Sequence, residues 1–159
     1  MRIDELTTEA EWREAFPVMR ELRTHLDEAT FLDLMRVITP QGYRLLAARD
    51  ADGTVRALAG IGEQTNLYYG HHIWVYELVT TANERSRGYG KALMDQVDAL
   101  ARDLGCDTVA LASGLQRADA HRFYEQKMGM QRTAYTFQKA IRPSIFTWPP
   151  APPAPPATH

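Results

Sequence analysis

Residues 76–94 read YELVTTANERSRGYGKALM, an apolar strand that passes through a polar turn into the glycine-bearing start of a helix. The turn Arg85-Ser86-Arg87-Gly88-Tyr89-Gly90-Lys91 offers two guanidinium groups, two glycines that let a ligand approach the backbone closely, and the free N–H groups of a helix N-terminus. An anion, phosphate above all, is the guest such a turn is built for. Spacing excludes two phosphate loops. A P-loop needs a glycine where Arg85 stands and a magnesium-binding hydroxyl where Ala92 stands. A dinucleotide fingerprint needs a third glycine where Leu93 stands. What remains is Arg85-x-x-Gly88-x-Gly90 between a strand and an amphipathic helix.

The rest of the chain sets the bounds. At 159 residues and 45% hydrophobic content it suits one globular domain. A net charge of −2 gives no basic field, so neither nucleic acid nor an anionic membrane is an expected partner. Cys106 is the single cysteine, and no histidine spacing of a zinc ligand set appears, so neither a disulfide framework nor a metal is expected. The charged N-terminus MRIDELTTEAEWRE is unlike a signal peptide, which makes the cytoplasm the expected compartment.

In chain order, Ile3 and Leu6 predict a short strand, and Thr8 with Glu11 predicts a capping box opening a helix. Trp12, Ala15, Phe16, Met19 and Leu22 make its apolar face, and Pro17 predicts a kink or an end near Phe16. A second helix is expected over Asp27 to Thr39, stopped by Pro40. Tyr43 to Arg49 and Val55 to Gly62 read as a hairpin around residues 50–53, Glu63 to Gly70 as a polar loop or irregular strand end, and His71 to Thr81 as a strand. A helix from Gly88 turns Leu93, Val97, Leu100, Ala101 and Leu104 inward and ends at Gly105. Thr108 to Ala112 reads as a strand, Asp119 to Lys127 as a helix and Arg132 to Ile141 as a last strand. The expected domain spans residues 1–142. Residues 143–159 form a proline-rich tail, read as an extended solvated terminus or as a polyproline ligand for another domain.

The pattern at Arg85, Gly88 and Gly90 resembles the coenzyme A signature of the GNAT N-acetyltransferase superfamily. Further on, Ser113 to Met130 reads SGLQRADAHRFYEQKMGM and resembles the second signature of that superfamily, Asn-x-x-Ala-x-x-Phe-Tyr followed by glycine, with Ala120, Phe123, Tyr124 and Gly129 in matching positions. The wording GLQRADAHRFYE is similar to small bacterial GNAT proteins. Arg117 stands where that signature has asparagine, which removes an amide contact to the cofactor and offers a phosphate partner instead. Ala82 stands where many members have proline. The resemblance covers residues 43–141.

It implies an α/β GNAT fold: a mixed, mostly antiparallel sheet with N-terminal helices on one side and two motif helices packed on it. It also implies acetyl-CoA as co-substrate and acetyl transfer to a primary amine of a small molecule or peptide, by direct attack in a ternary complex. The backbone of Leu78, Val79 and Thr80 would pair with pantetheine where the strand splays from its neighbour, and an amide near Val79 would face the thioester carbonyl. The pyrophosphate would lie on Arg85, Ser86, Arg87, Gly88, Tyr89, Gly90 and Lys91. Tyr124 takes the general-acid role, since a phenol with a reference pKa of about 10 can protonate a thiolate of about 8.5.

The base is open between Glu77, desolvated beside Tyr76 and Leu78, and His71, His72 or water. Without the resemblance, Tyr124 reads as a buried aromatic, Glu77 as a solvated strand-edge carboxylate, and both arginines as a solvated turn. Asp27, Glu28 and Asp33 either favour a cationic acceptor or form a solvated face. Cys106 lacks an activator, which argues against an acyl-cysteine route. The rival reading is a catalytically inactive acyl-CoA sensor or interaction module of the same fold, and a homodimer is compatible with either.

Overall fold

The computed structural model describes residues 1–146 and 156–157. Residues 1–111 form one compact unit, and the described residues from Ala112 onward belong to a second. In the first, β1 (Arg2–Leu6) is followed by α1 (Glu9–Leu22). Thr8 accepts the Glu11 N–H at 3.3 Å while the Glu11 carboxylate accepts the Thr8 N–H at 3.1 Å, the reciprocal pair the sequence predicts. Thr8→Ala should cost about 1 kcal/mol, read as a lower urea midpoint at unchanged slope.

Pro17 neither ends nor splits α1, which runs unbroken to Leu22. The proline ring is exposed, so the one hydrogen bond it removes lies on the wet side, while Trp12, Ala15, Phe16 and Met19 are buried and hold the helix in place. Helix α2 (Glu28–Ile38) is capped by Asp27, whose carboxylate accepts the Thr30 N–H at 2.7 Å.

The five strands lie in sequence order: β1, β2 (Tyr43–Arg49), β3 (Val55–Asn66), β4 (Gly70–Thr80) and β5 (Thr108–Leu111). The first three pairings are antiparallel, and β4 pairs with β5 in parallel. Strand β3 continues through residues 63–66, so of the two expectations for this segment the strand end holds there, and residues 67–69 form the turn. Leu45, Ala47, Leu58 and Val79 face α1 and α2, forming a core with Leu6, Phe16, Met19, Phe31 and Met35. The alternate residues Leu46, Ala48, Ala57 and Ala59 turn to the opposite face, and α3 (Tyr89–Asp103), which packs on β2 through β5, buries Leu93, Met94 and Val97. Beside the edge strand β1, buried Arg49 bridges Asp4 (2.9 Å), Glu14 (2.5 Å) and the Gly53 carbonyl (2.8 Å).

In the second unit, α4 (Ala118–Arg122) widens into a single π-turn over Phe123–Lys127, closed by Met128 N–H to the Phe123 carbonyl at 3.2 Å. The predicted strand from Arg132 to Ile141 is absent. Tyr135, Phe137 and Ile141 are exposed, and alternation without a pairing neighbour or a buried face does not make a strand. The tail prolines from Pro149 to Pro155 lie outside the described residues.

Candidate active site

The turn before α3 has a backbone that few residues adopt. Gly88 is left-handed at φ 87°, and Ser86, at φ 64°, is the sole non-glycine with positive φ among the described residues. Gly88 occupies the N-cap position, and no side chain caps the helix, so the first N–H groups of α3 point outward without a protein acceptor. An uncapped N-terminus of a 15-residue helix carries partial positive charge. Arg85 and Arg87 are exposed beside it; Arg87 reaches Glu84 at 3.0 Å, and Lys91 reaches Asp95 at 2.7 Å. Tyr89 is buried and anchors the first turn instead of lining its mouth.

The strand leading into this turn is half released from its neighbour. β5 pairs only with His72 through Val75, so Tyr76 to Thr80 have no strand on that edge. The Thr81 N–H donates to the Arg56 carbonyl at 2.8 Å, which fixes the alternation of the β3–β4 ladder. Val79, opposite Leu58, therefore spends its amide on β3, and the outward amides are those of Leu78 and Thr80, one residue either side of the expected position.

A one-residue bulge explains the release. Gly60 pairs with Glu77 but Ile61 pairs with Val75, so Tyr76 is extra and turns to the same face as Glu77. The Glu77 carboxylate accepts from the Tyr43 hydroxyl at 2.5 Å and from Arg23 Nε and Nη2 at 3.3 and 3.2 Å; Arg23 Nη2 also holds the Tyr76 carbonyl at 2.8 Å. Glu77 is thus paired rather than solvated. Burial first, and the adjoining carboxylate second, push the Tyr43 hydroxyl well above the usual phenol range, so it stays a donor. The glycine opposite makes room: a Cβ on Gly60 would lie 1.9 Å from the Tyr43 oxygen and 2.2 Å from Glu77 Oε2. Two residues before Arg23, Glu21 accepts from Thr81 Oγ1 at 2.6 Å and from the Ala82 N–H at 3.0 Å, so the end of α1 holds both β4 and the residues just after it.

The model of the acetyltransferase (GNAT) family matches residues 6–130. The chain belongs to the GNAT family. It is 42% identical over 141 residues to the uncharacterized N-acetyltransferase YhdJ of Bacillus subtilis, covering 89% of this chain and 99% of that one. It is 28% identical over 123 residues to the aminoalkylphosphonate N-acetyltransferase of Salmonella typhimurium, covering 76% and 78%. The crystal structure of a transcriptional regulator from Bacillus halodurans C-125 superposes with a TM-score of 0.76 at 18% identity, covering 88% of this chain and 100% of that one. That last likeness speaks for the fold alone.

As a GNAT protein the chain is an N-acetyltransferase, from a family that uses acetyl-CoA as co-substrate and amines as acceptors. Its own residues suit that co-substrate: outward N–H groups, a left-handed glycine and two exposed arginines form a cationic donor set of the kind a pyrophosphate needs. No described helix is long and apolar enough to cross a membrane.

The other site candidates fall as follows. Tyr124 is buried in the second unit, where burial raises its hydroxyl pKa and Arg117 partly offsets the rise. Arg117 stands half-buried at the N-cap of α4. His71 meets Glu63 at 2.6 Å, and the buried His72 has Nδ1 at 2.9 Å from the Gly70 carbonyl, which sets that nitrogen as the donor. Asp27 is spent on its cap, Glu28 pairs with Arg13 at 3.1 Å and Asp33 with Arg36 at 2.6 Å. These acids form a solvated, internally paired face. Sequence reading missed Tyr43, Arg23 and Glu21. For Tyr43 the signal was Gly60, since an interior-strand glycine marks a place something approaches closely.

Proposed function

We propose that the protein transfers the acetyl group of acetyl-CoA to the primary amine of a small molecule by direct attack within a ternary complex. The observation that supports this best is the uncapped, left-handed start of α3 directly after a strand whose edge is free beyond Val75. Acetyl-CoA, when bound, supplies an acetyl thioester, already activated toward amines. The N–H groups of residues 87–91 take the pyrophosphate, with Arg85 and Arg87 as charged partners and Arg117 as a further phosphate contact. The outward amides of Leu78 and Thr80 hold the pantetheine arm and donate to the thioester oxygen. Tyr124 gives its proton to the departing sulfur.

The acceptor must lose a proton, since an alkylammonium has a reference pKa of about 10.4. Glu77 takes that proton through a water, because Arg23 and Tyr43 already occupy its carboxylate directly. The acceptor itself is a small amine. The Salmonella relative is named for aminoalkylphosphonates, and the pairing of Asp27, Glu28 and Asp33 leaves no free acidic patch there to select a polycation.

Calorimetric titration with acetyl-CoA, followed in the same sample by a free-thiol assay against aminoalkylphosphonates, polyamines and amino sugars, tests the proposal. Saturable binding with amine-dependent thiol release is the expected result. Binding with no release for any amine would favour an acyl-CoA sensor, and absence of binding would overturn the assignment of the turn at residues 85–91.

A further inference from the structure

We propose that Glu63, His71 and Cys106 form a binding site for a divalent transition metal, with Zn²⁺ the best chemical match. A carboxylate oxygen of Glu63, a ring nitrogen of His71 and the Cys106 sulfur all lie within 4.8 Å of one another. In tetrahedral zinc sites, bonds of about 2.0–2.3 Å set such donors roughly 3.3–3.8 Å apart, so small side-chain rotations close the site. One carboxylate, one imidazole and one thiolate, with water in the fourth position, is a donor set zinc accepts.

The three backbones are already pinned to one another. Thr65 pairs with His71 and Ile73 with Glu63, which makes Glu63 and His71 diagonal neighbours on one face of the β3–β4 ladder. The Asp107 N–H donates to the His71 carbonyl at 2.7 Å, and the Cys106 N–H to the Ala101 carbonyl at 2.8 Å after left-handed Gly105, so Cys106 is set against the same hairpin. Burial raises the thiol pKa, and the Glu63 and Asp107 carboxylates add to the rise. That negative field is what a bound cation would reverse. On binding, the Cys106 sulfur bonds the metal and its proton leaves to solvent, while the His71–Glu63 contact opens to admit the ion. The ligands come from two strands and a distant turn, so no sequence spacing displays them.

The test is Co²⁺ titration of the whole protein. Because the chain holds a single cysteine, any thiolate-to-cobalt charge-transfer band must arise from Cys106. The expected result is such a band, with visible absorption of tetrahedral intensity, bleached by one equivalent of Zn²⁺. Cys106→Ser should abolish the band, and His71→Ala and Glu63→Gln should each weaken binding at least tenfold. Zn²⁺ should raise the Tm of the unaltered protein but not of Cys106→Ser. Absence of the band, or a band of unchanged affinity in both His71→Ala and Glu63→Gln, would overturn the proposal. Acetyl-CoA binding, read separately by calorimetry, does not depend on either outcome.

Discussion

Tyr124→Phe is expected to lower the acetyl-transfer rate by about 10²-fold or more while leaving acetyl-CoA affinity within about twofold. The change removes one oxygen and keeps the ring, so the packing of this buried side chain survives. What disappears is the proton proposed for the leaving sulfur. Burial holds the phenol pKa above its ordinary value of about 10, so the acid stays protonated through neutral and mildly alkaline pH. Loss of this proton should therefore bring no fall in rate until above about pH 10. Steady-state rates over a pH series for both proteins are the measurement. An unchanged rate in the variant would end the acid role of Tyr124.

Gly60→Ala should damage both stability and activity. The new Cβ would overlap the Tyr43 hydroxyl and the Glu77 carboxylate, and neither can retreat far, because Arg23 holds Glu77 from the other side. Overpacking costs about 1–3 kcal/mol, and a buried hydroxyl stripped of its acceptor adds about 1–3 kcal/mol. A loss of about 2–5 kcal/mol follows, read as a lowered urea midpoint. At a temperature where the variant remains folded, transfer should still fall, because Glu77 no longer sits where the bulge places it. A fall of less than about 0.5 kcal/mol would mean the network yields freely, and Glu77 would then lack the fixed position its proposed role requires.

The first and last parts of the chain were unequally legible. Thr8 with Glu11, and Gly105, announced themselves because capping is local chemistry, written within four residues. The turn at Arg85, Gly88 and Gly90 was legible for the same reason. Pro17 misled because propensity counts the lost hydrogen bond and cannot see which side of the helix faces water. Arg132 to Ile141 misled because alternation describes a strand only when a neighbour pairs with it. The bulge at Tyr76 was hidden: it shifts β4 out of phase midway, so no single period fits Ile73 to Val79. Arg23, Tyr43 and Glu77 meet across three separate elements, and only the register of β3 against β4 brings them together.

Arg23 and Glu21 give the end of α1 a thermodynamic role. One guanidinium holds the Tyr76 carbonyl and the Glu77 carboxylate, and one carboxylate holds Thr81 and Ala82, just ahead of the turn that would receive the cofactor. A ligand amine that competed with Arg23 for Glu77 would loosen one of those two grips. Linkage then requires that whatever factor this ligand imposes on acetyl-CoA affinity, acetyl-CoA imposes on it in return. The two substrates would not bind independently, and the last turn of a helix that touches neither reacting atom would set how far each one shifts the affinity of the other.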